Sequence, residues 1–526
     1  MAVQAVDGLL RLPTEVLLDI CFLLEPSDVI AVRKTCSALH ALTHEKSLWL
    51  RFIRWQQVHL PLPHEFRANT AALSSRETPQ LQRVAVEAEA SQRKWLRRRP
   101  SNVPILCASD DQEHSLHSII HLQLYLRRWM LCVYMEDLLV VWDLDSMDGT
   151  GTVRRVWRKV DLLKHTLNLP GGIQCSSAIS AMYVNENAIS LAVTHNGTRS
   201  TTCILRLRLP IHIDDDLKIE FVAKMSSSYP HFVCAISPLL SCVALSRGSF
   251  LTVADFSNQD IKSTVIITED DELDALWNGI IGARFCGPYI LCMKTRSVEL
   301  YPLPVVENEH EEPSFGPHAF KAMKHVFSGH ITFRDVTFSS PTIARSATFD
   351  STPDLAISML ASDPIRGLFN FRIRFKAAAA LGTPPTFDVT LVEARHMATL
   401  DLGSTRMRIA PGSSRGFVSA CCLGPQAKRG VWIERHRGST RRDVSVFDVN
   451  CHESGQHLED MDTQERYDTD DDDDDANSFF KVPNIDGSVV FEMDSYDLRA
   501  DLTHCAFCEV TGRIVLGTRA GKIMVL

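Results

Sequence analysis

From Leu9 to Trp55 the apolar residues of this chain recur every third or fourth position, and from Val103 to Leu526 they alternate every second one. The first spacing is that of helices with one buried face, the second that of half-buried strands. The pattern predicts a small helical module over 1–55, a linker over 56–100 and a large all-β domain over 101–526. At 526 residues the chain is too long for one ordinary core, which agrees with that partition.

Three short helical segments fit the first stretch. In the first, Pro13 suits the opening helical position because it has no N–H to satisfy, and Glu15 complements the positive end of the dipole. Val16, Leu17, Ile20, Leu23 and Leu24 then share a face. Pro26, Ser27 and Asp28 form a second start signal, after which Val29, Val32, Cys36 and Leu39 recur at helical spacing. A third, weaker segment closes on Leu48 and Trp49. Helices this short do not hold alone, so their apolar faces require a partner.

The order Leu-Pro, Glu and an aliphatic pair, Ile, a Pro-x-Asp step, Val and a late Leu-Trp resembles the F-box. Leu12, Pro13, Glu15, Val16, Leu17, Ile20, Pro26, Asp28, Val32, Leu48 and Trp49 carry the match. The resemblance implies docking on the Skp-type adaptor of a cullin ubiquitin ligase, with Leu23, Leu24 and Val29 added to those contacts. It departs from the pattern at Cys36-Ser37-Ala38-Leu39, where many members carry an aromatic residue.

Gln56 to Ser75, polar and containing Pro61 and Pro63, reads as connector. Thr78-Pro79 opens a helix near 78–98 that runs through Leu81, Val84, Ala85, Ala88, Trp95 and Leu96. This helix is expected to set the spacing between the two modules. Its closing cluster, Arg93-Lys94-Trp95-Leu96-Arg97-Arg98-Arg99, fits cations at a helix C-terminus, with nuclear import or a nucleic-acid contact as the alternative.

Within the β region a strand, a tight polar turn and an alternating strand recur seven times. The hairpins are Tyr134 to Asp143, Ala192 to Leu209, Val243 to Phe256, Leu291 to Leu303, Met359 to Phe375, Val431 to Asp448 and Ile514 to Leu526. Their separation, roughly 45 to 80 residues, exceeds the regular WD-type repeat, so each unit carries insertions. The expectation is a degenerate WD-like β-propeller of seven blades, with residues near Val103 to Cys107 pairing with the terminal strand to close the ring. A sandwich or two smaller β domains is the alternative.

Composition adds limits. Hydrophobic residues make up 45% and charged residues 23%, ordinary for a globular protein, and the net charge of −9 gives no reason to expect nucleic-acid binding. Part of that charge is one run, Asp471 to Asp475, inside the acidic stretch 459–477, which is expected to be a disordered loop. No stretch approaches the roughly 20 apolar residues of a membrane span, and no leader pattern opens the chain, which points to an intracellular protein of the cytoplasm or nucleus. The 15 cysteines are scattered through apolar strands and fit reduced, buried thiols.

Catalytic patterns are weak. Gly412-Ser413-Ser414-Arg415-Gly416 has the letters of a nucleophile elbow but is followed by strand-like Phe417 to Cys422, where the elbow needs a helix. Cys505-Ala506-Phe507-Cys508 has no second pair at zinc-site spacing. The expectation is therefore no enzyme, no metal and no cofactor. The chain reads as the substrate-selecting subunit of a cullin-type ligase, binding the adaptor through the helices and a protein substrate through the propeller. An adaptor-binding scaffold without a degradation role is the other reading. Arg435, Arg437, Arg441 and Arg442 are candidates for holding a charged substrate segment, because Arg grips carboxylate or phosphate bidentately.

Overall fold

The computed structural model describes residues 9, 11–67, 73–96, 105–106, 118–135, 139–147, 153–159, 172–183, 186–196, 199–209, 217–257, 262–266, 278–303, 323–327, 331–344, 354–376, 386–396, 416–436, 438–449 and 482–526. The acidic stretch 459–477, Arg437, Ser413 and Ser414 lie outside these residues.

The helical part comprises α1 (Thr14–Phe22), α2 (Pro26–Val32), α3 (Ser37–Thr43), α4 (Lys46–His59) and α5 (Thr78–Leu96). Two sequence expectations change here. The periodic run from Val29 to Leu39 is broken into α2 and α3, because the chain extends at Cys36. Leu48 and Trp49 stand at the beginning of the 14-residue α4, which runs straight through residue 55. The module core gathers Leu17, Cys21, Val29, Leu42, Trp49, Phe52 and Ile53 around Leu81, Val84, Ala85 and Ala88 of α5. Two buried polar contacts hold it: the Thr43 carbonyl accepts from Trp49 Nε1 at 2.8 Å and from Arg33 Nη2 at 3.0 Å, and Gln56 Nε2 donates to the Ala85 carbonyl at 2.9 Å.

The connector is packed, contrary to its polar reading: Leu60, Pro61, Leu62 and Pro63 are buried. Prolines that forbid helix hold this segment extended, and its aliphatic residues drop into the module core.

Among the described residues the β domain forms seven antiparallel sheets. Each expected hairpin falls on two successive strands of a different sheet, such as Trp129–Tyr134 with Leu139–Met147 and Arg429–His436 with Arg441–Asp448. The last sheet combines Leu502–Phe507, Ile514–Thr518 and Ile523–Val525 with Ile105–Leu106, where Ile105 pairs with Val525 and Leu106 with Met524. A terminal strand pair built from both ends of the domain removes one open edge.

Packing follows the sheet order. Seven apolar layers lie between sheets, from Leu131 and Val141 against Ile189 and Leu191 at the first pair, to Trp142 and Val140 against Val515 and Ile523 where the last sheet meets the first. The first strands of successive sheets also touch in turn, ending with Leu502–Phe507 against Ile119–Tyr125. This is a β-propeller.

Candidate docking surfaces

The helix α1 is apolar on two adjacent stripes. Leu17, Cys21 and Leu24, spaced i, i+4 and i+7, turn into the module core. Val16, Ile20 and Leu23 have the same spacing one step round and turn outward: Val16 is 41% exposed, Leu23 83% exposed and Ile20 half-buried. Leu12, at 38%, and exposed Pro13 extend that stripe past the helix N-terminus, and Glu15 of α1 and Asp28 of α2 are exposed to solvent. Val32 is half-buried. Of the residues expected to touch an adaptor, Leu17, Val29, Leu48 and Trp49 are buried inside the module. Their side chains set the positions of α1 and α4; the outward stripe is what a partner meets. Trp55 and Val58 of α4 add further exposed apolar surface that the sequence reading passed over.

The helix α5 joins the two modules. Its first half belongs to the helical core, and Trp95 at its far end inserts between the sixth and seventh sheets with Val431, Val444 and Leu516. The Trp95 ring stacks on Phe507 with centroids 5.8 Å apart, under the Arg429 guanidinium at 4.9 Å. Gly512 approaches so closely that a Cβ there would lie 3.2 Å from the indole. Polar contacts surround the wedge. Ser91 Oγ donates to the Val510 carbonyl at 2.7 Å, Gln92 Nε2 to Asp448 at 2.8 Å, and Arg429 Nη1 to the Glu509 carbonyl at 2.7 Å. From the connector, the Leu62 backbone exchanges two hydrogen bonds with the Gln426 side chain, and Lys428 Nζ donates to the Gln57 carbonyl at 2.6 Å.

Buried Glu509 organises the propeller side of this joint. Its carboxylate accepts from the backbone N–H of Gln426 at 2.6 Å, Lys428 at 2.7 Å and Arg429 at 3.2 Å. Burial nevertheless pushes its carboxyl above the ordinary value, because desolvation outweighs those donors. Gly424 makes room for it: a Cβ there would fall 2.2 Å from the carboxyl carbon.

The Arg-rich hairpin does not present four available cations. Arg442 is 2% exposed; its Nε donates to Asp501 at 2.6 Å while Nη1 caps the carbonyls of Ser439, Thr440 and Arg441. Arg435 reaches the other Asp501 oxygen at 3.3 Å and lies over the Phe417 ring. Arg441, nearly half exposed, pairs with Asp443 at 2.7 Å and Glu492 at 2.8 Å. The reason is register: Arg435 pairs opposite Arg442, so one acid of the next sheet, Asp501, neutralises both and ties the sheets together. Arg442 is thereby removed from the substrate-binding candidates.

Cys505 Sγ meets Cys422 Sγ of the neighbouring sheet at 3.6 Å, and both belong to the set of free thiols. Among the described residues no helix is long and apolar enough to cross a membrane.

Residues 9–54 match the F-box-like family model. No curated protein matches the chain significantly. Solved structures similar to it include the β-propeller domain of Cps50 (Swd1) from Myceliophteria thermophila, at 8% identity and a TM-score of 0.43, covering 78% of this chain and 95% of that one. The WD40 domain of SCAP from fission yeast is similar at 10% identity and a TM-score of 0.37, over 81% of this chain and 98% of that one. Hsv2 of Kluyveromyces lactis aligns at 9% identity with a TM-score of 0.36, over 77% and 91%. The propeller assignment rests on the chain's own sheet order and packing. Residues 9–54 are thus an F-box-like domain carried on a β-propeller, the architecture of an F-box protein with a C-terminal propeller.

Proposed function

We propose that this protein is the substrate-recognition subunit of a cullin-type ubiquitin ligase, docking a Skp-type adaptor through the F-box-like helices and a protein substrate through the propeller. The observation that carries the reading is the outward stripe Leu12, Val16, Ile20 and Leu23, set beside an inward stripe that already saturates the module core. An exposed apolar stripe of that kind suits the docking of a partner. The chain's contribution to ubiquitin transfer is proximity: the wedge of α5 into the propeller holds a bound substrate at a fixed distance from the adaptor, raising the effective concentration of its lysines.

The test is an inventory of proteins co-purifying with the full chain. Wild type is expected to bring down the adaptor together with a cullin, and Leu12→Ala/Pro13→Ala to lose both. Recovery of the adaptor without a cullin would favour the scaffold reading; undiminished adaptor in the double variant would defeat the assignment of this surface.

A further inference from the structure

In five of the seven sheets the turn between the second and third strands carries an arginine. Arg199 precedes Ser200–Arg208, Arg247 closes Cys242–Arg247, Arg296 precedes Ser297–Pro302, Arg366 precedes Gly367–Lys376 and Arg519 follows Ile514–Thr518. Arg437 has the same place in the sixth hairpin of the sequence and lies outside the described residues. Arg199, Arg247, Arg296 and Arg519 are exposed, and Arg366 is half-buried. Among the described residues none of the five pairs with a carboxylate, whereas Arg128, Arg208, Arg395, Arg435 and Arg513 of the same domain all do. Turns alternate between rims in an antiparallel sheet, so all five stand on the rim opposite the turns 424–428 and 508–512, where α5 docks.

Apolar side chains share that rim. Phe250 stands directly across from Arg247, the Tyr229 ring centroid lies 3.8 Å from the Arg247 guanidinium, and Ile365 adjoins Arg366; all three are exposed. The acids beside them are engaged. Asp363 is buried and accepts from the backbone N–H of Thr332 at 2.8 Å, Ile365 at 2.8 Å and Arg366 at 2.9 Å. Glu299 is buried against Lys294 at 3.0 Å, and Asp335 accepts from the N–H of Val336 at 2.9 Å and faces the Cys421 thiol of the sixth sheet.

We propose that the arc Arg199, Arg247, Arg296 and Arg366 receives an extended segment of the substrate with a carboxylate at every third residue and apolar residues between. Two features fix the class of ligand. The four arginines belong to four successive sheets, the second to the fifth, and stacked sheets lie about 10 Å apart, too far for the four to converge on one small anion. A polyproline-II segment repeats its side-chain direction every third residue, over about 9.3 Å, so carboxylates at that interval meet successive guanidinium groups, which grip them bidentately. The second feature is Tyr229, Phe250 and Ile365 beside the charges, which take the intervening apolar side chains. An aliphatic tip such as Ile365 offers nothing to a phosphate backbone, so the polyanion is a protein segment. The inference rests on the propeller being a substrate receptor and names the substrate class.

The test uses purified full-length protein and two fluorescein-labelled peptides of equal composition, Glu-Pro-Leu-Glu-Pro-Leu-Glu-Pro-Leu-Glu and Pro-Leu-Pro-Glu-Glu-Glu-Glu-Leu-Pro-Leu, followed by anisotropy. The spaced peptide is expected to bind saturably, more weakly as salt rises, and more tightly than the block peptide. Arg247→Ser/Arg296→Ser should weaken it at least about tenfold with unchanged melting, since both side chains are exposed, and Arg296→Glu alone should weaken it clearly. Equal binding by the double variant, equal binding of both peptides, or no binding by wild type would overturn the proposal. So would tighter capture, through the same arginines, of a single-stranded oligouridine or of phosphatidylserine vesicles, which would give the rim to nucleic acid or to a membrane. A chain that recruits a cullin but ignores the peptide fails this inference alone, whereas one that binds the peptide without a cullin fails the ligase reading.

Discussion

Replacing Trp95 by Ala removes the wedge between the helical module and the propeller. The indole is 2% exposed and packs among Val431, Val444, Phe507 and Leu516. Truncating an aromatic of that size in a core costs about 3–5 kcal/mol, part of it as lost transfer energy and part as the cavity left behind. Stacking on Phe507 and the overlying Arg429 account for about 1 kcal/mol within that figure. Arg429 is itself 0% exposed and would lose the ring beneath its charge, so the upper half of the range is expected. Guanidinium unfolding followed by circular dichroism measures the loss, and hydrogen exchange over Ser91 to Trp95 measures release of the helix end. Trp95→Phe should recover most of it. Because Trp95 is outside the helical core, adaptor binding should persist while substrate ubiquitylation falls. A loss below about 1 kcal/mol, with exchange unchanged, would refute the view that this ring couples the modules.

Two further perturbations probe the buried charges. Arg442→Ala leaves Asp501 buried with only half-exposed Arg435 to pair with, and should cost about 3 kcal/mol in urea unfolding, whereas a surface arginine would cost almost nothing. For Glu509 the folded carboxyl titrates above its ordinary value of 4.5, so the stability it contributes is complete below that value and is lost as pH rises through the shifted one. Thermal melts between pH 4 and 7 should show wild type losing ground to Glu509→Gln as pH increases, and parallel curves would contradict that sign.

The parts legible in the sequence were those whose cause is local. Pro26 opens α2 as its first helical residue, whereas Pro13, expected in that role, stands extended just before Thr14 of α1; the seven hairpins announce themselves through alternation bounded by polar turns. What escaped depends on partners far along the chain. Arg442 reads as a surface cation until Asp501 is placed beside it, and Gln426, Arg429 and Glu509 acquire their roles only where Leu62, Ser91 and Gln92 arrive from the helical side. The periodicity of α1 identified Val16, Leu17, Ile20 and Leu23 as one apolar group; which stripe turns inward is decided by the angle at which α3 and α4 pack against it.

Direct titration of the purified full-length chain with a purified Skp-type adaptor, by calorimetry, tests the central claim. Wild type should bind with one-to-one stoichiometry and a negative heat-capacity change, because the outward stripe of α1 leaves water. Val16→Asp/Leu23→Asp should abolish the heat while leaving the circular dichroism and melting of the propeller intact, since both side chains are already exposed in the free protein. Binding of that variant with unchanged affinity, or no binding by wild type, would contradict the account.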